Sequence, residues 1–95
     1  MRALTEFRDQ INELDYRLIQ LLGERMEVAE KIGRFKKDNG MAILQPQRWE
    51  TMMRTRLETG NRKGLNEAFI TTLFRFIHQE SIHRQRRVMD QCKRG

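Results

Sequence analysis

One proline, one cysteine and six glycines are spread over 95 residues, and aromatic side chains make up only 7%. A lone cysteine, Cys92, permits no internal disulfide, so the fold must hold by packing, and a reducing, cytoplasmic setting is expected. Close to the C-terminus, Cys92 reads as a tail residue rather than a reactive thiol. No N-terminal apolar run resembles a signal peptide, and no stretch is long enough to span a membrane. Val is scarce and glycine is sparse through the long stretches, which argues against a sheet. No internal repeat or low-complexity segment is present. What remains is rich in Leu, Arg, Glu, Met and Gln, the residues that favour helix. With 38% hydrophobic and 34% charged residues, an ordered, soluble, all-α chain is expected, long enough for a single domain over 1–95 with one modest core.

The apolar positions Phe7, Ile11, Leu14, Leu18, Leu21, Val28, Ile32 and Phe35 step by four and three, the spacing of a heptad seam. Asn39-Gly40 is a strong stop, because both residues tolerate the left-handed turn that ends a helix. The spacing predicts a first helix over about Thr5 to Asp38, roughly 50 Å long. Pro46 suits the first turn of a second helix, predicted to Thr59 with Trp49, Met52, Met53 and Leu57 inward. Gly60-Asn61-Arg62-Lys63-Gly64 reads as a turn. Asn66 can cap a third helix running to about Met89, with Ile70, Leu73, Phe74, Ile77, Ser81, Gln85 and Val88 inward. Helices of roughly 20 Å and 35 Å cannot cover a seam of roughly 50 Å. A homodimer with the long helices packed together is the simplest way to cover it, ahead of a monomeric three-helix bundle.

Polar residues interrupt these stripes. Between Leu21 and Val28 the seam lands on Arg25, an inward cation that is costly unless something anionic meets it. Taken alone, Arg25 would snorkel outward or pair with Glu24 or Glu80. Lys36, eleven residues on, projects from nearly the same face. Ser81 and Gln85 break the third stripe one turn apart, and Arg48 stands at the start of helix 2, near the loop returning from Lys36. These groups include no strong nucleophile and no metal cluster, so no cofactor or metal is expected. His78 and His83, five apart, do not form a metal pair on one face. The set reads as a donor-lined receptor for a small polyanion. Arg8 lies roughly 25 Å from Arg25 along the helix and about 100° around it. It cannot share a small ligand within one chain, but an antiparallel partner helix would bring it there.

The formal charge of +6 also admits nucleic acid or an acidic membrane as partners. His83-Arg84-Gln85-Arg86-Arg87 and Lys93-Arg94 lean toward a basic interaction module. Yet the other cations are mixed with acids, and neither a recognition helix nor a stacking platform stands out, so neither nucleic acid nor membrane is expected as a partner.

The run Phe7-Arg8-Asp9-Gln10-Ile11-Asn12-Glu13-Leu14-Asp15, with Leu21-Leu22-Gly23-Glu24-Arg25, resembles the first helix of the all-helical AroQ-class chorismate mutases. Ile32-Gly33-Arg34-Phe35-Lys36 resembles the segment holding the family's catalytic lysine. Gln45-Pro46-Gln47-Arg48 resembles the start of its second helix, and Gly64-Leu65 through Gln85 its third. The resemblance implies an intertwined homodimer of three helices per chain that rearranges chorismate to prephenate in aromatic amino-acid biosynthesis. It implies that Arg25 and the partner chain's Arg8 hold the substrate carboxylates and that Lys36 and Gln85 donate to the ether oxygen. Arg48 and Ser81 would complete the carboxylate and ring contacts. Many relatives carry a glutamate against the substrate hydroxyl where this chain has Trp49. Glu50 is about 100° further round and no substitute, which leaves Gln45 to serve the hydroxyl. That departure keeps a second reading open, a lyase removing pyruvate from isochorismate on the same fold.

Overall fold

The computed structural model describes the backbone of residues 2–94 and the side chains of residues 2–91. Three helices follow one another: α1 over Arg2–Asp38, α2 over Pro46–Arg62 and α3 over Glu67–Arg94. No strand occurs among the described residues. The side chains of Cys92, Lys93 and Arg94 lie outside the described residues.

The boundaries follow from local chemistry. At the end of α1, Gly40 takes φ +63°. The Met41 N–H reaches back to the Lys36 carbonyl at 2.7 Å, the six-to-one bond of a Schellman stop. At the end of α2, Gly64 takes φ +73°, and the Leu65 N–H closes the same motif on the Gly60 carbonyl at 2.9 Å. Pro46 opens α2, where its missing N–H costs nothing. Asn66 caps α3 by accepting the Phe69 N–H on Oδ1 at 3.1 Å.

Each helix is longer than the sequence pattern predicts. α1 begins at Arg2 rather than Thr5, because Arg2, Ala3 and Leu4 are all good helix formers. α3 continues past Met89 to Arg94, since nothing before Gly95 breaks it. The expected turn at Gly60 is helical, and α2 ends at Arg62 instead of Thr59. Gly60 serves a close approach: a Cβ there would stand 2.9 Å from Ile70 Cγ1.

α3 is the middle element, with the C-terminal half of α1 packed along it and α2 packed against its first half. Between α2 and α3 the core is Met52, Met53 and Ile70, with Trp49, Leu57 and Phe74 around it. Leu73, expected inward, sits at the rim, 36% exposed. Between α1 and α3 the buried residues of α1 are Met26, Ala29 and Gly33, facing Ser81, Gln85 and Val88. Gly33 sets that approach, because a Cβ on it would lie 2.9 Å from the Gln85 Cα. An interhelical ion pair on the outer flank joins Glu30 to Arg84 at 3.2 Å, with Arg87 at 3.5 Å.

The heptad seam is not the face that packs on α3. That face is the row Met26, Ala29 and Gly33, about 100° round from the seam. Phe7 (60%), Leu14 (56%), Leu21 (62%) and Phe35 (61%) are all exposed, as are Ile11, Leu18, Val28 and Ile32. Every described residue from Arg2 to Leu21 is exposed. The radius of gyration is 17.1 Å, against about 12 Å for a compact domain of this length. The first half of α1 therefore projects as an uncovered amphipathic rod.

Two glycines of α1 give opposite expectations. Gly23 has open space around its Cβ position, so Gly23→Ala should raise stability by up to about 1 kcal/mol through helix propensity. At Gly33 the obstacle is helix backbone, and Gly33→Ala should cost about 1–3 kcal/mol before that gain is subtracted. Urea midpoints of the two variants moving in opposite directions check both.

Candidate active site

α1, α2, α3 and the loop between α1 and α2 enclose a cavity of about 430 Å³, within the range of small-molecule sites. Arg25, Lys36, Gln45, Arg48, Ser81 and Gln85 all line it. The cavity also takes Arg56 and His78, with Val28, Ile32, Ile43 and Met52 among its apolar walls. Four cations thus share a cavity whose lining contains no carboxylate. Arg8 does not line it, as expected for one chain in which roughly 25 Å of straight helix separates Arg8 from Arg25.

Hydrogen bonds hold Arg25, Lys36, Gln45, Ser81 and Gln85. Arg25 Nη1 donates to Ser81 Oγ at 2.6 Å, and its Nη2 lies 4.0 Å from Met52 Sδ. Ser81 in turn donates to the Ile77 carbonyl at 2.9 Å. Arg25 therefore neither snorkels nor pairs with an acid; Glu80 is engaged by Arg84 at 3.0 Å. Burial first, then the charges of Arg56 and Arg48, hold the Arg25 guanidinium below its ordinary value. These are the marks of a cation without an anionic partner.

Lys36 joins three elements. Its Nζ donates to the Ile43 carbonyl at 2.7 Å and to Gln85 Oε1 at 2.8 Å. The first bond ties down the loop, and the second links α1 to α3. An ammonium has three protons, so one is left for the cavity. Burial lowers the Lys36 pKa from its usual 10.5. Because Gln85 gives its carbonyl oxygen to Lys36, its amide NH₂ is the group left to donate. Gln45 lines the cavity and donates from Nε2 to the Ala42 carbonyl at 3.4 Å, which leaves its side-chain oxygen as an acceptor.

Trp49 stands away from the cavity lining. Its ring packs on His78, centroids 4.8 Å apart, and the imidazole forms part of the cavity wall. Glu50 is likewise absent from the lining. Burial first, then Arg25 and Lys36, push the His78 pKa below 6.5, so the ring is neutral at neutral pH.

Sequence reasoning missed Arg56 and His78, although a signal for each is present. Arg48, Met52 and Arg56 recur every fourth residue, and Met52 was already inward. Phe74, His78, Ser81 and Gln85 step four, three, four, beside the stripe that runs through Ile77. The basic run 83–87 is largely absorbed by structure: Arg84 and Arg87 meet Glu30, and Gln85 enters the cavity. Hydrogen bonds to Glu80 and Glu30 raise the Arg84 pKa. Among the described residues no three His, Cys, Asp or Glu side chains come together as a metal ligand set. No helix among them is long and apolar enough to cross a membrane.

Fold and cavity together define an all-helical chain with a cavity rich in donors and free of acids. The chain belongs to the type II chorismate mutase family, whose pattern matches residues 7–86. It is 33% identical over 87 residues to the bifunctional chorismate mutase/prephenate dehydratase of Buchnera aphidicola subsp. Acyrthosiphon pisum, covering 92% of this chain and 23% of that protein. It is 32% identical over 81 residues to the T-protein of Haemophilus influenzae, covering 85% of this chain and 22% of that one. The bifunctional chorismate mutase/prephenate dehydratase of Escherichia coli K12 is 28% identical over 88 residues, 93% of this chain and 23% of its own length. The chain thus spans less than a quarter of each of these three relatives.

A pH consequence follows from His78. Its folded pKa lies below its unfolded one, so between the two values the unfolded chain binds more protons. Stability contributed by neutral His78 is complete above 6.5 and is lost as pH falls through the folded value. A histidine NMR titration should place His78 below 6.5, and His78→Asn should flatten the acid-side fall in stability.

Proposed function

We propose that residues 1–95 form one chorismate mutase domain that rearranges chorismate to prephenate, acting as a homodimer with two equivalent sites. The observation that carries this reading is the convergence of Arg25, Lys36, Arg48 and Gln85 on one cavity without a carboxylate. The reaction is an intramolecular pericyclic shift in which one C–O bond breaks as one C–C bond forms. It needs no proton transfer and no covalent intermediate, so the protein's task is to fold the substrate and to stabilise charge. Arg25 and Arg48 grip the carboxylates, with Ser81 holding the Arg25 head in place. The free proton of Lys36 and the NH₂ of Gln85 donate to the ether oxygen as negative charge gathers there, favouring the transition state over the ground state. The free oxygen of Gln45 receives the ring hydroxyl, the role that Trp49 does not fill.

The dimer is supported by the uncovered row on α1. Val28 and Ile32 belong both to that row and to the cavity wall. A second α1 laid antiparallel on the row would therefore also roof the cavity. It would bring Arg8 of the partner subunit to the carboxylate opposite Arg25.

The direct test is loss of chorismate absorbance with the purified chain, followed by product identification with chorismate and isochorismate in parallel. Prephenate from chorismate is expected; pyruvate released from isochorismate alone would move the reading to the lyase. Lys36→Ala should lower kcat by about 10²–10³, and an unchanged kcat would remove Lys36 from the chemistry.

Assembly is tested separately. The wild type should sediment as a dimer, and Leu14→Glu, which places a charge in the apolar row, should give an inactive monomer. Arg8→Ala should stay dimeric and lose about tenfold or more in kcat/KM, the worth of one charged hydrogen bond. Full activity in a monomeric Leu14→Glu would sink the shared site.

A further inference from the structure

Arg48, Met52 and Arg56 form one row on α2, each a turn from the next. Arg25 reaches α2 at the middle of that row, Nη2 against Met52 Sδ at 4.0 Å. Its head group therefore has an arginine one turn to either side. Arg56 is half-buried and lines the cavity, and its guanidinium carbon lies 5.9 Å from the Phe74 ring centroid. A guanidinium held against a ring keeps its N–H edges free to donate. None of the ion pairs among the described residues involves Arg56, and the cavity wall offers it no carboxylate.

We propose that Arg56 is a further binding residue of this cavity, gripping one carboxylate of the ligand jointly with Arg25, an inference that rests on reading the chain as a chorismate mutase. Two guanidiniums facing one space repel until an anion lies between them. A carboxylate has two oxygens and about four acceptor positions, enough for both. The lowering of Arg25 by burial first, then Arg56, then Arg48 fits this arrangement, since Arg56 weighs on it more than Arg48 does. The substrate class follows: an acid whose carboxylate stands clear of its ring and can meet two arginines at once. Such a contact is the same before and during the rearrangement, so its loss acts on affinity and leaves the chemical step alone.

The test compares the wild-type chain of residues 1–95, Arg56→Leu, Arg56→Lys and Arg54→Leu, which removes the same charge from an exposed position on α2. KM and kcat are measured with chorismate. Binding of prephenate, a dicarboxylate that the site does not turn over, is measured by calorimetry, and sedimentation and circular dichroism are recorded for every variant. Arg56→Leu should raise both KM and the prephenate dissociation constant about tenfold, with kcat within about twofold and dimer and helix content intact. Arg56→Lys should fall between, because a lysine keeps the charge and loses the planar fork. It also carries the test if Arg56→Leu fails to fold. Arg54→Leu should match wild type. Unchanged prephenate affinity in Arg56→Leu and Arg56→Lys, in an active wild-type background, overturns this inference alone. So does a loss of dimer with affinity kept, which would assign Arg56 to an acid on the second copy. A wild type that neither consumes chorismate nor binds prephenate overturns the functional reading and this inference with it.

Discussion

Arg25, Lys36, Arg48 and Arg56 line a single cavity with no acid in its wall, and like charges brought together repel. The rest of the structure is arranged around holding them there. Arg25 is clamped by Ser81 and Lys36 by Gln85 and the Ile43 carbonyl, so these two cations are fixed by neutral acceptors that leave their charge intact. The acids of this region are used elsewhere. Glu30 meets Arg84 and Arg87 at the outer flank and so joins α1 to α3, while Glu80 pairs with Arg84 within α3; neither acid enters the cavity. The repulsion is offset by the apolar contact of Met52, Met53 and Ile70 and by the close approach at Gly33.

α1 carries two apolar rows offset by one residue. The row with Met26, Ala29 and Gly33 is satisfied within the chain; the row from Phe7 to Phe35 is not. Val28 and Ile32 belong to the second row and to the cavity wall, so the uncovered row runs up to the cavity.

Much of this was legible in the residues. Asn39-Gly40, Pro46 and Asn66 mark helix ends because each has a chemistry that only a terminus uses. Arg25, Lys36, Arg48, Ser81 and Gln85 stand out as polar groups on inward positions or beside them, Gln45 only through the family resemblance, and all six line one cavity. What escaped was finer than the periodicity can resolve. A seam read at steps of four and three does not say which of two adjacent rows meets its own chain, since they differ by one residue and about 100°. Arg56 escaped because an arginine on a charged helix looks like solvated surface, and His78 because Ile77 beside it was the more obvious core residue. Gly60 was read as a breaker from its type; only the Ile70 side chain above it explains why a helix keeps it.

The first helix is a single rod of 37 residues, free of proline, and that continuity makes it a ruler. The interval from Arg8 to Arg25 is seventeen residues, set in both distance and angle by helix geometry alone. One residue inserted there would swing everything before it by about 100° and turn the outward apolar row to a new heading. Seven inserted residues would nearly restore the heading but carry Arg8 roughly 10 Å further out. Length changes in the segment 9–24 would therefore shift Arg8 and the outward apolar row relative to Arg25 even where every side chain is kept.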